Sequence, residues 1–151
     1  MDIKKVISTL NTLLETTEDG VRGFVACAES VSSPHLKMVF ERAARRCEEG
    51  GQELKTAIRG LGGEPAKAGS LSGSLHRAWT NIVSTITGMD EHAVLAECER
   101  GEDAAKSAYE KALDEDLPPT IEAIVRRQYQ GVKENHDRIR DLRNQAAHAS
   151  L

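Results

Sequence analysis

The connection GGEPAKAGSLSGSLHRAWTNIVSTITGM, residues 62–89, is the most informative part of the chain for its architecture. It begins with Gly, Pro and Ala residues that are typical of a loop. It then carries apolar residues at helical spacing over about 71–86, with Trp79 on the apolar side. A helix of about 16 residues extends roughly 24 Å. The connection is therefore long enough to travel most of the length of a helical bundle.

Four longer segments flank this connection, and each repeats apolar residues at the period of an amphipathic helix. We predict these helices at about 2–31, 34–61, 91–115 and 119–147. Ser33 is the expected N-cap of the second helix because Pro34 suits the first helical position. Asp90 is the expected N-cap of the third helix, and Gly62 and Gly63 are expected to end the second.

The lengths of the connections predict how the helices are arranged. The first and second segments, and the third and fourth, are joined tightly, so each pair should be antiparallel. The long connection should bring the third helix in at the end where the second began. One long crossover in a four-helix bundle is the ferritin-like arrangement. We therefore expect an all-α fold, a ferritin-like four-helix bundle whose crossover contains a short fifth helix, in one domain over residues 1–151.

Composition agrees with a helical protein and narrows the classes of function. Aromatic residues make up 3% of the chain and the net charge is −4. A nucleic-acid-binding protein usually has a basic surplus, so we expect no nucleic-acid partner. No apolar run approaches the roughly 18 residues that span a bilayer, so we expect no membrane partner. Phosphate-loop, dinucleotide-binding and His-Glu-x-x-His motifs are all absent from the sequence.

The three cysteines predict a reduced, cytoplasmic protein, because they are odd in number and include no Cys-x-x-Cys pair. Cys47 and Cys98 fall on the apolar stripes and should be buried. Cys27 falls off the stripe of the first segment, whereas Val25 falls on it.

Three polar residues on or beside the apolar stripes are candidate metal ligands: Glu18, Glu102 and His136. Ferritin-like di-iron sites use a Glu from each of two helices and a Glu-x-x-His from each of the other two. That set is incomplete here, so iron or manganese could bind only at a reduced site. In the alternative interpretation, Glu102 and His136 pair with each other or with an Arg and satisfy buried polar groups.

Glycines near the midpoint of every long segment are unusual, because a glycine inside a helix costs about 1 kcal/mol relative to alanine. Two explanations are open. The glycines could allow tight packing around Tyr109 and Tyr129, or they could line a small cavity for a ligand. The residues concerned are Gly20, Gly23, Gly50, Gly51, Gly101 and Gly131.

Several of these stretches resemble a family of small bacterial ferritin-like proteins that are known as four-helix bundles of unknown function. The resemblance is carried by LGGEP at 61–65, GS at 69–70, LHRAW at 75–79, ERGEDAA at 99–105, YEKAL at 109–113 and HDRIRDLR at 136–143. It implies a ferritin-like fold and a cytoplasmic bacterial protein. It implies no substrate, reaction or ligand, so no catalytic residue can be assigned from it.

Three functions follow as hypotheses. The first is a non-enzymatic helical protein, with a stress-associated role among the candidates, that acts through self-association or another protein partner. The second is a metal-binding or redox protein with a reduced site on Glu18, Glu102 and His136. The third is a small-ligand carrier that uses a cavity at the middle of the bundle.

Overall fold

The computed structural model describes residues 2–67 and 90–149, and within them the chain forms four long helices. These are α1 (Ile3–Glu29), α2 (Pro34–Gly60), α3 (Glu91–Leu113) and α4 (Pro119–Ala149). The described residues contain no β-strand. The all-α fold class is therefore confirmed. The short helix predicted at about 71–86, including Trp79, lies outside the described residues, so the extent of the single domain stays a prediction.

Local capping explains where α2 begins and ends. The Ser33 hydroxyl accepts a hydrogen bond from the backbone N–H of Leu36 at 3.3 Å, and Pro34 is the first helical residue, as predicted. Gly62 ends the helix with φ of +83°, a left-handed conformation that favours glycine. The Asp90 carboxylate accepts from the N–H of Ala93 at 2.8 Å and caps α3, again as predicted.

Contacts at the helix ends confirm the long crossover. The backbone N–H of Ser33, at the start of α2, donates to the carboxylate of Glu91, at the start of α3, over 3.1 Å. At the opposite end, Gly63 packs against Ile7 of α1. Helices α2 and α3 therefore begin at the same end of the bundle and run parallel. This parallel direction of α2 and α3 is the one that the ferritin-like arrangement requires.

The apolar core is divided into two clusters, one towards each end of the bundle. One surrounds Phe24 and Phe40, whose rings stack with centroids 6.4 Å apart. The other surrounds Leu10, Leu54 and Tyr109. Helix α1 packs extensively on α2, α3 packs on α4, and α1 also packs on α3, whereas the backbones of α2 and α4 approach each other closely at few positions. The fourth side of the bundle is therefore open at mid-height.

Two assignments made from helical periodicity are wrong. Cys27 is fully buried and forms a disulfide with Cys98 that joins α1 to α3, so it is neither off the core face nor a free thiol. Val25, assigned to the apolar stripe, is 43% exposed. Both errors have one cause: the buried face of α1 is rotated from the stripe that apolar residues alone define, because polar residues such as Thr16 and Asp19 are buried too.

No helix within the described ranges combines the length and the apolar character that a membrane span needs.

Candidate functional site

The open side of the bundle contains a cavity of about 500 Å³, which we call the mid-bundle cavity. Residues of all four helices line it. The lining residues of α1 and α3 are buried, and those that are exposed all belong to α2 or α4. The cavity therefore reaches solvent between α2 and α4. It is lined by Thr16, Thr17, Gly20, Phe24, Ala43, Arg46, Cys47, Glu49, Gly50, Glu53, Glu102, Ala105, Tyr109, Arg127, Gln128, Gln130, Gly131, Val132, Glu134 and Asn135.

Three of the mid-helix glycines, Gly20, Gly50 and Gly131, line this cavity. At Gly50 a Cβ atom would lie 3.5 Å from the Gln128 side chain, and at Gly131 it would lie 3.5 Å from Arg46. These two glycines leave room for long side chains to cross between α2 and α4.

The crossing side chains bind the opposite helix reciprocally. Gln128 of α4 donates to the carbonyl of Gly50 on α2 at 3.2 Å, and Arg46 of α2 donates to the carbonyl of Gly131 on α4 at 2.6 Å. Helices α2 and α4 are thus connected across the cavity by polar side chains, without close backbone packing.

Tight packing accounts for other glycines. A Cβ at Gly20 would lie 2.8 Å from the Cys47 sulfur, and one at Gly51 would lie 3.0 Å from the Thr17 hydroxyl. The absence of a side chain at these two glycines lets α1 and α2 pack closely. Gly101 is buried but does not line the cavity. Close packing therefore explains Gly20 and Gly51, but against Cys47 and Thr17 and not around the tyrosines, whereas the use of the cavity by a ligand stays a prediction.

A hydrogen-bonded chain crosses the cavity wall from Tyr109 to Glu53. The Tyr109 hydroxyl donates to Gln128 Oε1 at 2.7 Å, and Gln128 Nε2 donates to Glu53 Oε1 at 2.8 Å. Arg127 forms an ion pair with the second oxygen of Glu53. Burial and the negative charges nearby raise the pKa of Tyr109, so its hydroxyl keeps its proton and remains a donor.

Glu102 of α3 is the one carboxylate deep in the cavity wall among the described residues, and it is 4% exposed. Asn135 of α4 donates to its Oε1 at 3.1 Å, while its Oε2 has no hydrogen-bond partner. Burial raises its pKa to about 7, although the hydrogen bond from Asn135 and the charges of His136 and Arg46 act in the opposite direction. Glu102 therefore changes charge near neutral pH.

The direct pairing considered for Glu102 and His136 is wrong, because Asn135 takes the place of His136. Successive residues on a helix point about 100° apart, so only one of the two can face Glu102. His136 instead places Nε2 at 2.6 Å from Asp103 and Nδ1 at 3.2 Å from Asp137. The hydrogen bond from His136 lowers the pKa of Asp137.

The third candidate ligand, Glu18, lies elsewhere. It lines a separate groove between α1 and α2, beside Glu48 and Lys55, and it does not line the mid-bundle cavity. Glu102 and His136 are neighbours on facing helices, but Glu18 does not share their site.

A di-iron centre does not fit the residues that line this region. Both nitrogens of His136 face carboxylates, and Glu53 is engaged by Gln128 and Arg127, which leaves Glu102 as the remaining interior oxygen donor of the wall. Within residues 2–67 and 90–149, no three His, Cys, Asp or Glu side chains are grouped as a metal site requires.

Sequence analysis missed Arg46 and Glu53, which form much of the α2 wall. A signal was present: Arg46, Gly50 and Glu53 are spaced four and three residues apart, so they share one face of the helix. This face of α2 was not assigned to a site because the interior of a helical bundle is expected to be apolar.

The helix arrangement and the cavity define a ferritin-like four-helix bundle with an opening at mid-height that is lined by polar and charged side chains. Residues 5–115 match the family described as a domain of unknown function, DUF2383, so the chain belongs to that family. This confirms the ferritin-like family resemblance of the sequence. A search of curated proteins found no match.

Solved structures show the same fold at low sequence identity. A bacterioferritin-related protein from Bacteroides fragilis, described as a dodecameric thioferritin, is 18% identical with a TM-score of 0.82, and the match covers 99% of this chain and 90% of that one. A ferritin-like, diiron-carboxylate protein from Bacillus anthracis is 17% identical with a TM-score of 0.66, covering 94% and 96%.

A third structure, a two-domain protein from Anabaena variabilis with DJ-1/ThiJ/PfpI-like and ferritin-like domains, is 16% identical with a TM-score of 0.80. The match covers all of this chain but 39% of that one. At these identities the similarities establish the ferritin-like fold.

Proposed function

We propose that this protein is a non-enzymatic carrier that binds a small molecule in the mid-bundle cavity. The observation that carries the proposal is the cavity itself. Its volume of about 500 Å³ falls in the range of small-molecule sites, roughly 300–1,000 Å³. Its wall combines apolar side chains, such as Phe24 and Ala105, with polar and charged groups, some of which are fixed by hydrogen bonds and orient a ligand.

The glycines support the same proposal. Alanine at Gly50 or Gly131 would stabilise the isolated helices by about 1 kcal/mol each. Their Cβ atoms would meet only side chains of the opposite wall at 3.5 Å, an ordinary contact distance, so close backbone packing does not require glycine there. Both glycines border the cavity, where they leave room for the side chains of Gln128 and Arg46 that form its wall.

Glycine amide signals provide a direct test. With ¹⁵N-glycine-labelled protein, benzyl alcohol as a neutral probe should shift the signals of Gly20, Gly50 and Gly131 in a saturable way. Gly60, which has no atom within 4 Å of an added Cβ, should not respond. Ala105→Leu should abolish the shifts because the larger side chain fills the cavity.

Ala123→Leu is the matched control, since it adds the same volume at an exposed position of α4. It should bind the probe as the unmodified protein does. Unchanged glycine signals at saturating probe, or equal binding by Ala105→Leu, would refute the carrier function.

We also propose that the protein self-associates. The dodecameric description of the Bacteroides fragilis relative supports this proposal. Light scattering should give a mass that is a multiple of 16.5 kDa. A mass of one chain at all concentrations would contradict it. Cytoplasmic residence remains our prediction from the sequence.

The alternative is a metal-binding or redox protein that uses a reduced site at Glu102 and His136, without Glu18, which lines a separate groove. The unpartnered Oε2 of Glu102 and the fold shared with a diiron-carboxylate protein favour it. Elemental analysis of protein purified without a chelating tag tests it. Stoichiometric iron or manganese that is lost in Glu102→Ala would establish the metal site in place of the carrier function.

A further inference from the structure

Most hydrogen-bond donors in the interior of the mid-bundle cavity wall are engaged with protein acceptors, whereas Gln130 and the remaining N–H groups of Arg46 lie at the exposed rim. The hydroxyls of Thr16 and Thr17 donate to carbonyls of their own helix at 2.9 and 2.7 Å. Tyr109 donates to Gln128, and the Gln128 amide donates to Gly50 and Glu53. A ligand therefore finds few free donors in the wall.

Among the described buried side-chain atoms of the wall, the one without a hydrogen-bond partner is an acceptor, Oε2 of Glu102. It is buried and it lines the cavity, and its sister oxygen already has Asn135 as a partner. A buried carboxylate oxygen without a partner carries a large desolvation cost, which a donor from a ligand would relieve. The wall thus favours a ligand that carries a hydrogen-bond donor.

Charge around the opening favours a cation. Four carboxylates line the cavity, at Glu49, Glu53, Glu102 and Glu134, against two guanidinium groups, at Arg46 and Arg127. Arg127 is paired with Glu53 and Arg46 is bonded to the Gly131 carbonyl, so neither is directed at Glu102 as a hydrogen-bond donor. Excess negative charge in a concave, low-dielectric site attracts cations.

We propose that the ligand class of this site is a protonated amine with an apolar body, whose ammonium group donates to Glu102 Oε2 while the body packs on Phe24, Ala43 and Ala105. This inference rests on the proposed carrier function and assigns its ligand chemistry. An ammonium group supplies a donor for Glu102 Oε2 and a positive charge for a wall that has two more carboxylates than guanidinium groups, and the apolar side chains of the interior accommodate the remainder.

Binding of such a ligand is coupled to the ionisation of Glu102. The groups that act on this carboxyl are Arg46 from α2, Asn135 and His136 from α4, and Asp103 on α3 itself, and its charge acts in turn on Cys47 of α2 and Tyr109 of α3. The α1 residues that line the cavity, Thr16, Thr17, Gly20 and Phe24, carry no titratable group. Burial and the charge of Glu102 raise the pKa of the Cys47 thiol, so that group stays neutral.

A cation requires the carboxylate form, and Glu102 holds a proton below a pKa of about 7. Affinity for an amine should therefore be about tenfold weaker at pH 6 than at pH 8, and binding at pH 6 should release about one proton per site. A neutral ligand of the same shape should show neither effect.

A matched pair of probes tests the inference: benzylamine, which is cationic at these pH values, and benzyl alcohol, which is neutral. By titration of the glycine amide signals at pH 8, the full-length protein should bind benzylamine at least tenfold more tightly. The preference should shrink at pH 6 and disappear in Glu102→Gln. Glu41→Gln, on the exposed surface of α2, should keep it.

Benzyl alcohol binding by Glu102→Gln shows that this variant is folded and that its cavity is intact. If both probes bind the unmodified protein equally, or if the preference survives in Glu102→Gln, the amine inference is wrong while the carrier function stands. If neither probe shifts the glycine signals, the carrier function fails with it.

Discussion

Desolvation dominates the chemistry of Glu102. Its hydrogen bond from Asn135 and the nearby charges of His136 and Arg46 favour the ionised form, yet burial outweighs them and raises the pKa from 4.5 to about 7. An acid with a raised pKa in the folded state stabilises the fold while it is protonated. That contribution is complete at low pH and is lost as the pH rises from about 4.5 to about 7.

Glu102→Gln should therefore change the pH dependence of stability. Gln mimics the protonated acid and keeps an acceptor for Asn135, so the variant should match the unmodified protein at pH 4.5 and exceed its unfolding free energy by about 3 kcal/mol at pH 8. Urea denaturation at both pH values measures this difference. Glu49→Gln, at the exposed rim, should show no such trend. An equal difference at both pH values would show that Glu102 does not titrate abnormally.

The cysteines divide into two kinds. Cys27 and Cys98 are bonded to each other in the first apolar cluster, whereas Cys47 is a free thiol between α1 and the cavity. Burial is the main cause that raises the pKa of Cys47. Because the thiolate is the reactive form, Cys47 should be unreactive while the protein is folded.

Thiol counting with Ellman's reagent tests this assignment. Unfolded, unreduced protein should show one reactive thiol, and reduced protein should show three. Cys47→Ser should lower the first count to zero. Three thiols in freshly unfolded, unreduced protein would instead support the reduced protein that the sequence predicts.

Helices α1 and α2 approach closely where Gly20 meets Cys47. A Cβ atom at Gly20 would stand 2.8 Å from the sulfur, closer than unstrained atoms come. The glycine is thus required by the neighbouring helix and not by its own backbone conformation, which is helical.

We expect Gly20→Ala to lower stability by about 1–3 kcal/mol through overpacking. In a Cys47→Ala background the same change should be neutral or stabilising, because the sulfur is gone and alanine favours the helix by up to about 1 kcal/mol. A double-mutant cycle in urea gives the coupling between the two sites. Coupling near zero would mean that Cys47 simply rotates away.

The bundle as a whole has an apolar cluster towards each end and a polar, partly open level between them. Phe40 and Ile58 lie in different clusters although both belong to α2. Their separation of 18 residues corresponds to roughly 27 Å along the helix. The polar level should therefore isolate the two clusters from each other.

Phe40→Leu and Ile58→Val should each cost about 1 kcal/mol, and the two costs should add within about 0.5 kcal/mol. By contrast, Phe40→Leu and Phe24→Leu should not add, because the two rings stack within one cluster. Unfolding free energies of the single and double variants measure both cycles. Strong coupling between Phe40 and Ile58 would show that packing is continuous through the cavity level.

Local patterns in the sequence were sufficient to predict the helices, their caps and the crossover. Ser33 with Pro34, Asp90, and the Gly62–Gly63 pair act within one helical turn of their own position, so tertiary contacts are not needed to interpret them. The ferritin-like order of the helices followed from the length of the connection alone, and the Ser33–Glu91 contact agrees with it.

The candidate site could not be predicted in full from the sequence, because its geometry is set by the distances between the helices and by their relative rotations. Periodicity placed Glu102 inside, but only the rotation of α4 determined that Asn135, one residue before His136, would face it. Likewise, the mid-helix glycines could be recognised in the sequence. The gap between α2 and α4, which makes some of them cavity residues, results from how the α1–α2 pair packs on the α3–α4 pair. Helical periodicity gives the direction of a side chain about its own axis, and it contains no information on how far away the next helix lies.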